Sequence, residues 1–231
     1  MNKVLIAGFM HSNKKSLLSE FMHHFRNIEC ENKKSMFFID DNKELEIILN
    51  RAKNFPFKVK DFNEKKFEGI YGILKEIKEM VLKDGFEYVF LLNHCTLCPP
   101  TILNDLLESK KNIVASAFFQ PLFEKKNDNI YRNRVSNAYQ FKHESEKNVS
   151  VKPLMFNDLL PSQLQKVDMI LLNAALIHRS VLEKIDFDKA TLQMPPELFF
   201  ASECAQLGED IFVDSRNVSV MLRHVIVNTL G

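Results

Sequence analysis

The sequence predicts an α/β domain with a mostly parallel central sheet flanked by helices. Across the first two-thirds of the chain, short apolar runs alternate with segments whose apolar residues recur every three or four positions. Strand, helix and strand in this rhythm connect parallel strands by right-handed crossovers. Ligands of such sheets bind beyond the carboxyl ends of the strands, so the residues that follow the apolar runs are the first candidates for a site.

The first four elements follow this alternation. Residues 3–9 form an apolar run typical of a buried strand, and residues 35–40 form a second one. Ser12 is a candidate N-cap for the helix between them, and another helix follows the second strand. The apolar positions that define the two helices are Leu17, Leu18, Phe21, Met22 and Phe25, and then Leu45, Ile48, Leu49 and Ala52.

The middle of the chain contains the clearest signals. Residues 67–81 carry an apolar stripe with a charged opposite face, and Asp84-Gly85 follows as a helix end should. Residues 86–92 are the most convincing buried strand, and a polar elbow, Asn93-His94-Cys95, comes directly after it. The other predicted elements here are a weaker strand over 55–62, a helix from Pro99-Pro100 through Leu107, and a strand over 112–119.

The last third is less regular. Charged and Asn-rich stretches within 120–165 predict surface loops or a hairpin, and order returns over 169–178. The remaining predicted elements are a helical turn over 181–185, a helix from Pro195-Pro196 to Leu207-Gly208, and short strands over 211–213 and 218–222. No repeat and no linker divides the chain, so we expect one domain over residues 1–231.

Composition excludes several function classes. A net charge of +1 gives no overall field that would attract nucleic acid or an anionic membrane, and no apolar run reaches the roughly 18 residues of a transmembrane span. The 4 cysteines are irregularly spaced and predict reduced thiols, so we expect a cytoplasmic protein. Only 6 glycines are present, less than half of the usual ~7%, which disfavours a glycine-rich phosphate loop.

Segments in both halves of the chain occur in an informative order. The second strand ends in the acidic run Phe38-Ile39-Asp40-Asp41-Asn42. The strand and elbow of 85–95 precede Pro99-Pro100, and Asn173-Ala174-Ala175 lies within the ordered segment of 170–179. Glu197 then begins a helix, and His224 follows the last strands. In this order, over roughly residues 3–224, the chain resembles the nucleotide-sugar glycosyltransferases of the GT-A fold, which is a Rossmann-like fold.

The resemblance implies a nucleotide-binding half over 1–119 and an acceptor-side half over 120–231. It implies a sugar transfer from a nucleotide-sugar donor to a hydroxyl acceptor, with Glu197 as the general base. Asp210 is the alternative base, because Glu209-Asp210 also matches the acidic pair of the family. Asn173 and Ala174 would lie on the acceptor side. The implied nucleotide-sugar site comprises Gly8, Phe9, His11, Asp40, Asp41, Asn93, His94 and Cys95.

The sequence departs from the family at its metal-binding DxD motif. The aligned residues are Asn93-His94-Cys95, which contain no carboxylate and are poor ligands for Mg²⁺ or Mn²⁺. His224 and Cys95 are the remaining candidate metal ligands. The departure leaves two alternatives: a metal-independent transferase that neutralises the diphosphate with Lys or Arg, or a chain that has kept the fold and lost the activity.

Two further classes of function remain open. The loss of the DxD carboxylates favours a non-catalytic module of this fold that binds a glycan or a protein partner. Separately, Cys95-Thr-Leu-Cys98 is a C-x-x-C sequence between a strand and a helix, as in thioredoxin-like oxidoreductases.

Overall fold

The computed structural model describes residues 2–10, 16–39, 42–51, 56–60, 67–126, 129–143, 149–191 and 193–221. Its helices are α1 (Leu18–Arg26), α2 (Lys43–Arg51), α3 (Phe67–Lys83), α4 (Ile102–Glu108), α5 (Arg179–Lys184) and α6 (Pro196–Leu207). Its strands are β1 (Val4–Met10), β2 (Lys33–Ile39), β3 (Phe57–Val59), β4 (Tyr88–Leu92), β5 (Thr96–Leu97), β6 (Ile113–Ala117), β7 (Phe119–Lys126), β8 (Asn129–His143), β9 (Val149–Met155), β10 (Leu164–Val167), β11 (Met169–Ile170), β12 (Ala174–His178), β13 (Ile211–Val218) and β14 (Val220–Met221).

Across the described residues the largest sheet has eight strands, in the order β10-β13-β6-β12-β4-β1-β2-β3. The strands β1, β2, β3, β4, β6 and β13 all run in one direction, whereas β12 and β10 are antiparallel to their neighbours. The prediction of a mostly parallel sheet is confirmed. We call the edge at which the six parallel strands end the carboxyl edge, and the opposite edge the amino edge.

The sheet is covered on both faces, and its central strands are apolar at nearly every position. In β4, Val89 and Leu91 belong to the hydrophobic cluster under α3, α5 and α6, whereas Phe90 and Leu92 belong to the cluster under α1, α2 and α4. Continuous apolar runs of this kind are typical of strands covered by helices on both sides. The chain is therefore a three-layer α/β arrangement, as the alternating sequence pattern predicts.

Glycines end two of the helices as the sequence predicts. Gly85 follows α3 with φ +66°, and Gly208 follows α6 with φ +68°. Residues with a Cβ rarely adopt this left-handed conformation, so glycine is favoured at both positions. Both glycines lie at the amino edge, because the strands that come next begin there.

The hairpin alternative predicted over 120–165 is confirmed by the antiparallel pair β7 and β8, and β9 and β11 extend this pair into a second sheet. β8 pairs with β7, β9 and β11, and the register places Phe119 opposite Ser136. One residue, Phe118, separates the end of β6 from the beginning of β7, so this sheet extends from the carboxyl edge. Asn137 joins the two sheets: its Oδ1 accepts a hydrogen bond from the Phe118 N–H (3.0 Å) and its Nδ2 donates to the Ser116 carbonyl (2.9 Å).

Within the described residues, no helix is both long and apolar enough to cross a membrane.

Candidate functional site

The elbow after β4 is a tight turn that touches the segment before β12. The Asn93 N–H donates to the Asn173 carbonyl (3.0 Å), which continues the pairing of β4 with β12. The Asn93 Oδ1 accepts from the Cys95 N–H (3.0 Å), and the Asn93 carbonyl accepts from the Thr96 N–H (2.9 Å). The structure thus brings Asn93 and Asn173, predicted for the donor and acceptor sides, into direct contact at the carboxyl edge.

Three of the predicted side chains near the elbow point into the protein interior. His94 and Cys95 are each 1% exposed, and the His94 ring meets the Phe21 ring of α1 edge-on at 6.5 Å. The His94 Nε2 lies 3.8 Å from the Cys95 Sγ. Ala174 is fully buried opposite Leu92, where it fills the core under α1 and α4.

The elbow does not fit a hard divalent cation. Its side chains offer one amide oxygen, already engaged with the Cys95 N–H, together with an imidazole and a thiol. Mg²⁺ and Mn²⁺ prefer carboxylate, carbonyl and water oxygens. Among the described residues, no group of three or more His, Cys, Asp or Glu side chains is placed to hold a metal ion. His224 lies outside the described residues.

Gly8 permits a close approach of two strands just before the carboxyl edge. A Cβ built on Gly8 would lie 2.0 Å from the Leu92 carbonyl oxygen of β4, far inside van der Waals contact. The following residue, Phe9, is half-buried and packs against the core. The other predicted nucleotide contacts in this region, His11, Asp40 and Asp41, lie outside the described residues.

Glu197 occupies the first turn of α6, directly after Pro195-Pro196. α6 leads into β13 at the amino edge, so its own beginning lies towards the carboxyl edge. Glu197 is half-buried, and burial raises its pKa above the ordinary value, against a smaller lowering by its own backbone N–H. A carboxyl group with a raised pKa is a stronger base than an exposed glutamate.

Two tyrosines are close enough to Glu197 for its charge to raise their pKa values, and the sequence did not single out either of them. Tyr71 of α3 donates from its hydroxyl to the Met194 carbonyl (2.8 Å). Burial, with a contribution from the Glu197 charge, raises the pKa of Tyr71 to about 12. The same two causes raise the pKa of Tyr139 in β8. In the sequence Tyr71 is only one member of an apolar stripe, and its relation to Glu197 depends on the packing of α3 on α6.

The alternative base, Asp210, lies at the opposite edge of the sheet. It precedes β13 and forms an exposed ion pair with Lys166 (2.5 Å). Its neighbour Glu209 accepts hydrogen bonds from the Asn112 Nδ2 (3.0 Å) and the Lys184 Nζ (2.9 Å). These two bonds lower the pKa of Glu209, and both carboxylates at this end of α6 are paired with lysines.

The C-x-x-C sequence lies in an environment that suppresses thiol reactivity. Cys98 is buried, and the Ser219 hydroxyl donates to its Sγ (3.4 Å). Burial raises the pKa of Cys98 to about 12 despite this bond. A redox-active cysteine needs a lowered pKa, because the thiolate is the reactive species. The geometry therefore favours a packing role for Cys98.

No protein-family model and no curated protein sequence matches this chain. Solved structures do match: the crystal structure of GalNAc-T7 with UDP, GalNAc and Mn²⁺ has a TM-score of 0.64 and 11% sequence identity, covering 96% of this chain and 43% of that one. The crystal structure of A197 from STIV has a TM-score of 0.49 and 13% identity, covering 96% and 86%. The first likeness shows a shared GT-A-like fold, although this chain spans less than half of that protein.

Proposed function

We propose that this chain binds a nucleotide-sugar donor at the carboxyl edge and transfers its sugar to a hydroxyl acceptor, with Glu197 as the general base. One observation carries the proposal: a half-buried carboxyl with a raised pKa lies in the first turn of α6 in a GT-A-like fold. The GalNAc-T7 structure contains a nucleotide, a sugar and Mn²⁺, which supports a nucleotide-sugar as the class of donor.

The proposed reaction has one bond-forming and one bond-breaking event at the anomeric carbon. The acceptor oxygen bonds to that carbon as the bond to the diphosphate oxygen breaks, and the nucleoside diphosphate leaves with the electron pair. Glu197 takes the proton from the acceptor hydroxyl, and its raised pKa makes it a stronger base than an exposed glutamate. Attack with a base opposite the leaving group inverts the anomeric configuration.

The charge on the leaving diphosphate needs an opposing group. Because the Asn93–Cys95 elbow does not fit Mg²⁺ or Mn²⁺, we propose that Lys or Arg side chains neutralise the diphosphate. The side chains of the elbow support the metal-independent alternative.

Calorimetric titration with UDP and UDP-sugars tests the nucleotide claim, first with Mn²⁺ and then with EDTA. We expect saturable binding that persists in EDTA. Absence of binding under both conditions would overturn the proposed donor class, and binding only with Mn²⁺ would overturn metal independence. The titration needs no knowledge of the acceptor.

The base assignment has its own test. Glu197→Gln should retain UDP binding and lose about 10²–10⁴-fold in transfer or donor hydrolysis, the usual contribution of a general base. Glu209→Gln, which alters a carboxylate at the other end of α6, is the matched control and should keep full activity. Equal activities of the two variants would contradict the role of Glu197.

A non-catalytic binding module is the second candidate, favoured by the elbow that lacks carboxylates and buries His94 and Cys95. Under this alternative the chain binds UDP or a glycan, and the wild-type protein neither transfers nor hydrolyses the sugar. Asn93→Asp keeps an acceptor for the Cys95 N–H and adds one carboxylate. Mn²⁺-dependent UDP binding gained by this variant would identify a decayed enzyme.

A further inference from the structure

We propose that Tyr71 is a positioning residue for Glu197, holding the first turn of α6 so that the carboxyl group keeps a fixed place at the carboxyl edge. The inference rests on the proposed function, in which Glu197 receives the proton of the acceptor. Tyr71 acts through Glu197 and the backbone before it, and it needs no contact with the substrate.

Tyr71 contacts the chain on both sides of Glu197. Its hydroxyl donates to the carbonyl of Met194, which precedes the helix, at 2.8 Å. Its ring meets the ring of Phe199, which lies within the helix, edge-on at 5.5 Å. Such a ring pair adds to the stability of a packed contact. One side chain from α3 therefore fixes the two backbone segments that flank Glu197.

The charge of Glu197 acts on two phenols, Tyr71 of α3 and Tyr139 of β8, whose raised pKa values keep them neutral at physiological pH. β11 also packs on α6 and contributes the apolar Met169 and Ile170. The 3-10 turn Phe187–Lys189 packs Phe187 against Phe199, and its Asp188 is paired with Lys75. Because no described lysine or arginine forms an ion pair with Glu197, the tightness of this packing controls how easily the carboxyl ionises.

Tyr71→Phe tests the proposal, because it removes the hydrogen bond to Met194 and keeps the ring against Phe199. The readout is the ¹³C carboxyl NMR titration of labelled glutamates, with the Glu197 signal assigned by its loss in Glu197→Gln. We expect the midpoint of Glu197 to move to lower pH, because a looser turn admits water to the carboxyl group. We expect kcat to fall about fivefold with KM for the donor unchanged, the factor that one hydrogen bond gives.

Tyr88→Phe is the matched control. Tyr88 is also partly buried with a raised pKa, but it lies at the amino edge and packs against His178. Tyr88→Phe should leave the titration midpoint of Glu197 unchanged. An unchanged midpoint in Tyr71→Phe, or an equal shift in Tyr88→Phe, would overturn the proposal.

Phe199→Leu provides a second, independent variant. It removes the ring contact and keeps the hydrogen bond from Tyr71 to Met194, so it should shift the midpoint in the same direction by a smaller amount. A shift in the opposite direction would contradict the positioning role. The titration needs no substrate, so a positive result stands even where Glu197→Gln leaves transfer unchanged and the proposed function fails.

Discussion

The polar side chains at the two edges of the central sheet have different surroundings. At the carboxyl edge, Asn93 bonds to the backbone of its own turn, and Glu197 is half-buried with a raised pKa. At the amino edge, Glu209 accepts from Asn112 and Lys184, and Asp210 pairs with Lys166. The surroundings at the carboxyl edge therefore raise the pKa of a glutamate, whereas those at the amino edge pair carboxylates with lysines.

This difference separates two glutamates at opposite ends of α6. Burial raises the pKa of Glu197, whereas hydrogen bonds from Asn112 and Lys184 lower the pKa of Glu209. Residue type does not distinguish them, because both are glutamates; Glu197 lies in the first turn of α6 and Glu209 follows its C-terminal cap. What distinguishes them is the partner that the fold supplies, and only the carboxyl edge supplies an environment suited to general-base chemistry.

The largest expected difference between the two edges is in the reactivity of their cysteine thiols. Cys98, beside the elbow, has its pKa raised from 9.0 to about 12 by burial, which lowers its thiolate fraction about a thousandfold. Cys30, shortly before β2 at the amino edge, is partly exposed. At pH 8 we expect iodoacetamide to modify Cys30 rapidly and Cys98 only after unfolding, as measured by peptide mass spectrometry. Fast native labelling of Cys98 would restore the oxidoreductase alternative.

The next largest expected difference is in the unfolding free energy lost when a glycine at each edge is replaced by alanine. Gly8→Ala places a Cβ against the backbone oxygen of Leu92, which cannot move without displacing β4, so we expect a loss of about 3 kcal/mol in unfolding free energy. Gly208→Ala meets open space and costs only the positive φ, about 1 kcal/mol. Urea denaturation of both variants measures the difference. Equal losses would mean that β1 and β4 can separate at the carboxyl edge.

The sequence predicts the central strands of the main sheet well because they are mostly apolar, and its helices carry clear stripes. For β8 it leaves loops and a hairpin as alternatives, because the buried positions of this strand include Ser136, Asn137 and Ala138. Small and polar residues at inward positions remove the apolar alternation that identifies a strand. Asn137 is tolerated in the interior because its amide is satisfied by Phe118 and Ser116, a pairing that no local pattern encodes.

The candidate site was predictable only in its local parts. The position of Glu197 after two prolines and the placement of Asn93 after an apolar strand follow from neighbouring residues. The two tyrosines near Glu197 lie far from it in sequence, and Tyr71 looks like any other member of the stripe on α3. Long-range packing sets the pKa of a buried group, so the sequence predicts the candidate base and not its environment.

The smallest predicted effect is a pair of opposite pH dependences at the two ends of α6. In an unfolded chain, glutamate has a pKa of about 4.3. Because the folded pKa of Glu197 is raised, ionisation above that pH favours the unfolded chain, so stability declines until the pH passes the folded pKa. Glu197→Gln should therefore stabilise the protein at pH 7 by on the order of 1 kcal/mol, and the gain should vanish in acid.

Glu209→Gln should behave in the opposite way. The folded pKa of Glu209 is lowered, so its contribution is fully present above about pH 4.3 and is lost as the pH falls through the folded value. Because solvent screens the pair with Lys184, the substitution should cost no more than about 1 kcal/mol at pH 7, and nothing in strong acid. Urea denaturation of both variants at pH 7 and pH 3 measures the two differences. If both substitutions destabilise at pH 7 by similar amounts, Glu197 has a stabilising partner when ionised, and the distinction between the edges fails at the residue on which the proposed chemistry depends.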